Sequence, residues 1–459
     1  MPGLWDSHVH LMGLRTADVD TLPREPVALR AARATSDLRA ALDAGITSVR
    51  EVGGLGIHLA RAVEEGTVVG PSVYAAGSAL STTGGHGDLH SYPLEWMADF
   101  AHTGGELRLA DGVDECIRAT REQLRRNAKL IKSYASGGVL SEVDHPIHQQ
   151  FTVAEMRAIV EVAAMSDRIV AAHCHGKPGM MAALEAGIHT IGHGTFLDEE
   201  AAQAMRECGA MLVTTRTIFQ ELLESGEIPP YAMTKLQATV DRHADALALA
   251  REQGVTIAAG TDVALTGAEL PDSWGRNGRE LPLLVSLGFS ALEAIEAATA
   301  NGPGTLGPQA PRSGQLVAGY DADLLTSTST RSPTSRCWRS PRTSPVSGRP
   351  AAGSSSGSPA GETATNLEEQ VMGDSEHSLL ELRLFKLHPG TREEFHRISR
   401  DGTVPLMRQL GITVVAHGPS LNDDESYHLL RTFSSEQERI DCHSRCTPPR
   451  NGNATTTRR

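Results

Sequence analysis

The chain of 459 residues carries a formal net charge of −14 and no basic tract, which argues against a nucleic-acid partner and fits traffic in small molecules. Aromatic residues make up only 4% while Ala and Gly abound, a composition that suits α/β structure better than an all-β sandwich. No leader pattern opens the sequence and no run of about twenty apolar residues interrupts it, so a cytoplasmic protein with no membrane partner is expected.

Up to about residue 300, short β-branched or apolar runs alternate with longer amphipathic stretches. In chain order the runs are GLWDSHVHL, ITSVREVG, SVYAAGSAL, LIKSYASGG, RIVAAHCHG, HTIGHGTF, MLVTTRTI and VTIAAGTDVA. Eight strands, each followed by a helix such as DECIRATREQLRRNA or VAEMRAIVEVAAM, predict an α/β fold of the (β/α)8 TIM-barrel class. Such barrels place their chemistry at the C-terminal ends of the strands. An open doubly wound sheet would alternate in the same way, but no GxGxxG follows the first strand. The six cysteines, Cys116, Cys174, Cys208, Cys337, Cys442 and Cys446, form no CxxC pair, and no disulfide framework is expected.

His8 and His10 stand two apart on the first strand, so both side chains enter the barrel. The fourth strand ends near Lys132, the fifth at His173, the sixth at His193 and the eighth at Asp262. Four imidazoles, a carboxylate and a lysine therefore gather at one rim, and zinc-like divalent metals take this mixture of nitrogen and oxygen donors. Lys132 is either a barrel-mouth lysine that reaches solvent or a neutral amine that has reacted with carbon dioxide. The carbamate so formed would be an anion with two oxygens able to bridge two metals, and burial beside cations favours the reactive amine.

HVH, IKSYASGG, AAHCHG, TIGHGTF and AGTDVA, in this order, resemble the metal-dependent amidohydrolase superfamily, within it the imidazolonepropionase-like and Xaa-Pro dipeptidase-like hydrolases. TTGGHGD at 82–88, SGGVLSEVDHPIHQQF at 136–151 and SGQLVAGYDADLL at 313–325 are similar to the same subgroup. The resemblance covers roughly residues 2–325 and implies a binuclear zinc site. His8, His10, Asp262 and carboxylated Lys132 would hold the buried metal; Lys132, His173 and His193 would hold the exposed one. It also implies amide or peptide C–N hydrolysis by a metal-bridging hydroxide, whose proton Asp262 passes to the leaving amine.

His148 is expected to polarise the carbonyl or bind a substrate carboxylate, or else to be a surface-loop histidine. His86, among glycines that admit close backbone approach, and His175, which returns to the face of His173, are candidate substrate contacts. Arg216 is a candidate partner for a substrate carboxylate or a structural residue of the mouth. Cys174 is expected to pack outward. The expected substrate is a dipeptide or an N-acyl amino acid, with cyclic-amide hydrolysis as the alternative.

The sequence departs from the family twice. It starts directly on the first strand, so the β-sandwich that usually precedes the barrel is expected only as a truncated remnant around 313–325, without its partner. Residues 326–371 then begin as a Ser/Thr/Pro/Arg/Gly/Ala tract that reads as a disordered linker. Shifted by one reading frame, TSTSTRSPTS can read Asp-Leu-Asp-Leu-Asp-Pro-Leu-Ala-Asp-Val, as family members continue after DADLL, which makes this a frameshifted stretch. NLEEQVM can encode a ribosome-binding site ahead of Met372, which would start a second gene.

Residues 372–440 then read as strand, helix, strand, strand and resemble NIPSNAP-type proteins, implying a small α+β, ferredoxin-like module with a dimerisation or binding role. His388, His396, His417 and His428 look scattered in it, and 441–459 read as a disordered tail. Homo-oligomers through the barrel or this module are expected. The competing reading of the whole chain is a non-catalytic fusion whose role lies in the C-terminal module.

Overall fold

The computed structural model describes residues 1–226, 228–317, 319–325, 345–348, 379–419, 425–433, 435 and 437–439. They divide into two compact units, Met1–Arg349 and Pro350–Arg459, so the division falls inside the stretch expected to link them.

In the first unit, parallel strands and helices alternate as the hydrophobic periodicity predicts. The strands are β1 (Leu4–Leu14), β2 (Ile46–Glu51), β3 (Ser72–Ala75), β4 (Ala79–Ser81), β5 (Leu107–Leu109), β6 (Ile131–Tyr134), β7 (Val170–Cys174), β8 (Thr190–His193), β9 (Met211–Val213), β10 (Ile257–Ala258) and β11 (Val263–Leu265). They form two parallel arcs, β11-β1-β2-β3 and β10-β9-β8-β7-β6-β4-β5.

The third and eighth barrel strands are each broken in two, and the arcs meet at those breaks. β3 pairs with β2 while β4 pairs with β6; β10 pairs with β9 while β11 pairs with β1. Gly77, at φ +78, makes the first break, where a Cβ would lie 2.5 Å from Gln123 Oε1. Asp262, at φ +65, makes the second. Backbone bonds from Ser7 N to Ala259 O (2.9 Å) and from Lys129 N to Ala75 O (2.9 Å) cross the seams and close the ring. β5 is an added strand beside β4, outside the ring of eight.

The outer layer is helical, and its ends follow local chemistry. A capping box of Thr152 and Glu155 starts the helix Val153–Ala164, and Ser290 with Glu293 starts Ala291–Ala297. Asp198 caps Glu199–Cys208, which ends on left-handed Gly209. One continuous core joins these helices to the strands and includes Cys116 and Cys174, so Cys174 packs outward as expected. Cys116, Cys174 and Cys208 are free thiols.

The stretch expected to lack a sandwich partner has two. Ala322–Leu325 (β12) pairs antiparallel with Pro345–Gly348 (β13). Gly3 N also donates to Asp323 O at 2.8 Å, and Leu325 N to Met1 O at 2.9 Å. Residues 1–3 thus pair with 323–325, and four residues of the expected linker are strand. The rest of the frameshift expectation lies outside the described residues.

In the second unit the strands fall where expected, but two helices, not one, stand between the first and second strands. β14 (Leu379–Lys386), β15 (Thr413–Pro419) and β16 (Ser426–Phe433) form an antiparallel sheet in the order β14-β16-β15. Helices Arg392–Ile398 and Val404–Gln409 are joined by a π turn; the second packs Val404 against Val414 and Leu429 of the sheet, and the first sets the Phe395 ring 5.6 Å from Phe385 and 5.0 Å from Tyr427. His396 and His417, far apart in sequence, both reach the Tyr427 hydroxyl at 3.0 Å. Residues 441–459 lie outside the described residues.

Candidate metal centre

The rim is built strand by strand. On β1, His8 is buried and His10 half-buried. Gly192 and Gly260 make room for the His8 side chain, since a Cβ at either would come within 2.9 and 2.7 Å of it. His10 Nδ1 lies 2.7 Å from Gly53 O, so the backbone acceptor fixes the tautomer and leaves Nε2 bare. Asp262 is tied to β1 by its own N–H, which donates to His8 O at 2.7 Å. Its Oδ1 then lies 3.1 Å from His10 Nε2 and 3.5 Å from His8 Nε2. The Lys132 ammonium nitrogen on β6 comes within 3.4 Å of His8 Nε2.

From β7 and β8, His173 Nδ1 and His193 Nε2 meet at 2.9 Å. His193 sits at φ +68, an uncommon backbone state for a residue with a Cβ, and this turn aims its ring inward. Thr215 holds its Nδ1 at 2.8 Å, and Asp262 Oδ2 lies 4.0 Å away. His175 Nδ1 is held by Thr195 Oγ1 at 2.7 Å, with its ring 4.7 Å from those of His173 and His193.

Two sets of donors converge. The ligand atoms of His8, His10 and Asp262 all lie within 4.8 Å of one another, and so do those of His173, His175 and His193. Burial first, then the neighbouring cationic groups, pushes His8, His173, His175 and His193 well below the ordinary imidazole range, so each offers a lone pair at neutral pH. His8 Nδ1 is buried with no hydrogen-bond partner among the described residues. Burial, opposed by Asp262 and aided by Arg50, lowers the Lys132 amine to about 7. Neutral nitrogen donors beside one carboxylate fit a divalent cation of borderline softness.

Residues 1–336 match the amidohydrolase family. The chain belongs to that family. Ochratoxinase of Aspergillus niger is 43% identical over 343 residues, 71% of this chain and 69% of the relative. Its crystal structure, at 40% identity, covers 75% of this chain and 80% of that one with a TM-score of 0.69. A prolidase complexed with N-methylphosphonate-L-proline, at 33% identity, covers 71% and 79% with a TM-score of 0.64. A Xaa-Pro dipeptidase with bound methionine in its active site, at 32% identity, gives the same coverage and a TM-score of 0.62.

In this amidohydrolase the cavity above the donors has a histidine floor and apolar walls, with Met12, Leu14 and Leu265 on one side and Ile218, Phe219 and Leu222 on the other. His86 lines it, stacked on His173 at 4.4 Å. Its Nδ1 lies 2.7 Å from Ser141 Oγ and 3.7 Å from Asp144 Oδ2. Burial alone would raise Asp144, but His86, Ser141, the Gly138 N–H and Lys235 hold it below the ordinary carboxylate range.

Two sequence candidates are not brought to the cavity. His148 is exposed, its ring 5.1 Å from His145, because the turn at 145–148 faces its side chain outward while its carbonyl accepts from Gly137 N at 3.0 Å. The buried Arg216 side chain donates to Val240 O at 2.6 Å, which leaves it the structural role. Sequence reasoning missed Tyr134, 5.3 Å from both His86 and His173, although it stands two residues after Lys132 on the same inward face. It also missed Phe219 and Asp272, which line the cavity from a helix and a loop.

Proposed function

We propose that the barrel is a metal-dependent hydrolase of an amide or peptide-type C–N bond in a small substrate, a dipeptide or an N-acyl amino acid. The convergence of His8, His10, Lys132, His173, His193 and Asp262 on one rim carries this reading. His8, His10 and Asp262 would hold one divalent cation and His173 and His193 a second, both best suited to Zn2+, with carboxylated Lys132 between them. His175, grouped with His173 and His193, is a further donor or a substrate contact.

When bound, the cations supply a Lewis acid for the scissile carbonyl and acidify water at neutral pH. The chain's own residues do the rest. The Lys132 amine, lowered to about 7, would add its neutral lone pair to the carbon of carbon dioxide and lose one N–H proton to water, leaving the anionic carbamate. Asp262 presents one oxygen to His8 and His10 and the other toward His193, so it can take a proton from the attacking water and deliver it to the leaving nitrogen. His86, supported from behind by Ser141 and Asp144, takes the carbonyl-orienting place expected of His148. The apolar walls exclude water from the reacting bond.

For the second unit, a NIPSNAP-like role in dimerisation or ligand binding is supported by the order of its strands alone.

Metal analysis of the purified protein, with a screen of dipeptides and N-acyl amino acids, tests the hydrolase. About two zinc ions per chain and amide cleavage are expected. A chain that takes up no metal and cleaves no amide would overturn the reading in favour of a non-catalytic fusion.

A further inference from the structure

A threonine that begins a helix ordinarily caps it with its own hydroxyl. The helix Arg216–Ser225 departs from this. Thr215 stands at its N-cap, yet among the described residues its side chain forms no cap bond. Its Oγ1 lies instead 2.8 Å from His193 Nδ1. The Thr215 backbone sits at φ +64, an outlier for a β-branched residue that persists only where the surroundings enforce it.

The enforcing group comes from another helix, Glu280–Ser286. Glu280 is only 1% exposed. Its Oε1 accepts from Thr214 Oγ1 at 2.5 Å and from Arg216 N at 2.9 Å. Its Oε2 accepts from Thr217 N at 2.8 Å and from Thr217 Oγ1 at 2.6 Å. One carboxylate thus grips the residues on both sides of Thr215. Thr215 N donates to Gly260 O at 2.9 Å, and Ile218 N to Thr261 O at 3.2 Å. The first three N–H groups of the helix are therefore satisfied from outside it, and the Thr215 hydroxyl is left over for the imidazole. Arg279 pairs with Glu221 and with Glu224 (3.2 Å), so the two helices are also joined without Glu280.

We infer that Glu280 is a positioning residue for His193: it takes the place of the helix cap, which releases the Thr215 hydroxyl to hold the ring with Nε2 turned to the second cation place. The inference rests on the metal-dependent hydrolase reading and goes beyond its ligands. A glutamine at 280 would keep one acceptor oxygen and turn its NH2 against a backbone donor. The freed Thr217 N–H would then draw the Thr215 hydroxyl back to the ordinary cap, and the ring would lose its anchor.

The test is calorimetric zinc titration of the full chain, with thermal unfolding followed in parallel. Glu280→Gln should weaken one of the two zinc ions by about tenfold or more, the scale of a lost partner behind a ligand, and leave the other as in wild type. Glycine adopts positive φ freely, so Thr215→Gly should unfold near the wild-type midpoint yet weaken the same ion. Thr215→Ser, which keeps the hydroxyl, should bind both ions as wild type does. The double variant E280Q/T215G should lose no more zinc affinity than T215G, since both act along one path. Without metal, 1H–15N spectra should show one fixed His193 tautomer in wild type and a mixture in E280Q. If E280Q does not fold, Glu280→Asp, too short to reach both Arg216 N and Thr217 N, carries the same expectations. A lowered unfolding midpoint with both zinc affinities unchanged, a T215G chain that binds both ions as wild type does, or zinc losses that add in the double variant would each overturn the inference and spare the hydrolase. A wild-type chain that takes up no zinc would overturn the hydrolase reading itself.

Discussion

The two ends of the barrel handle buried polarity in opposite ways. At the N-terminal end, Arg50 is buried but its guanidinium donates to Ser7 O (2.6 Å), Thr190 Oγ1 (3.0 Å) and Thr305 O (3.1 Å). Trp5 Nε1 donates to Ser313 Oγ at 3.1 Å, and Trp5 packs with Leu130, Ala171 and Leu306. At the C-terminal end, imidazoles crowd one another, His8 Nδ1 has no partner among the described residues, and four residues, His193, Thr215, Asp262 and Asp272, sit at positive φ. Polar groups that complete one another hold a fold together. Polar groups left incomplete, on strained backbone, mark where something else is to be held.

The sharpest way to break this contrast is Asp262→Asn. It should cut kcat/KM by about 10³-fold, the scale of a lost general acid–base group, while thermal unfolding shows the fold retained. Lys132→Ala should cost more than the roughly 10–100-fold typical of a residue that only supports a ligand. Added short carboxylic acids should restore part of the activity if a carboxylate had stood there. Because the Lys132 amine is lowered to about 7, it is protonated below that pH and neutral above it. Zinc uptake measured against pH should therefore rise through pH 7 and level off above it; a profile flat from pH 6 to 8 would separate Lys132 from the metals.

Thr195→Val removes the hydroxyl that holds His175. About tenfold weaker zinc binding is expected if His175 is a ligand, and a change confined to KM if it only meets substrate. The smallest effect on turnover belongs to the other end. Arg50→Met should lower stability by about 3 kcal/mol, since three buried acceptors lose their donor, as denaturant unfolding would show; because Arg50 helps hold the Lys132 amine down, it should also move the rise of activity to higher pH while leaving the plateau kcat close to wild type.

The sequence made the barrel legible because each strand is an apolar run of the right period, and the rim legible because its donors stand on those strands, where alternation fixes the facing. What alternation does not encode is where a strand breaks. SVYAAGSAL and VTIAAGTDVA read as single strands, yet Gly77 and Asp262 divide them by backbone conformation alone. His148, Arg216 and Asp272 stand at turns or a helix start, where direction is set by what packs around them: Val240 claims Arg216, and the backbone of Ala264 and Leu265 places Asp272. His396 and His417 looked unrelated until the sheet brought both to Tyr427.

The division of the ring into two arcs carries one last consequence. His8, His10 and Asp262 belong to the arc of β11, β1, β2 and β3, whereas Lys132, His173 and His193 belong to the arc that runs from β10 to β5. A pair of ions shared between these sets would rivet one half-cylinder to the other at the very rim where the ladder is interrupted. Stripping them should let the cylinder gape, with amide protons near Ala76–Ser78 and Ala259–Thr261 exchanging first. The ions would then be hardware of the scaffold as much as of the chemistry.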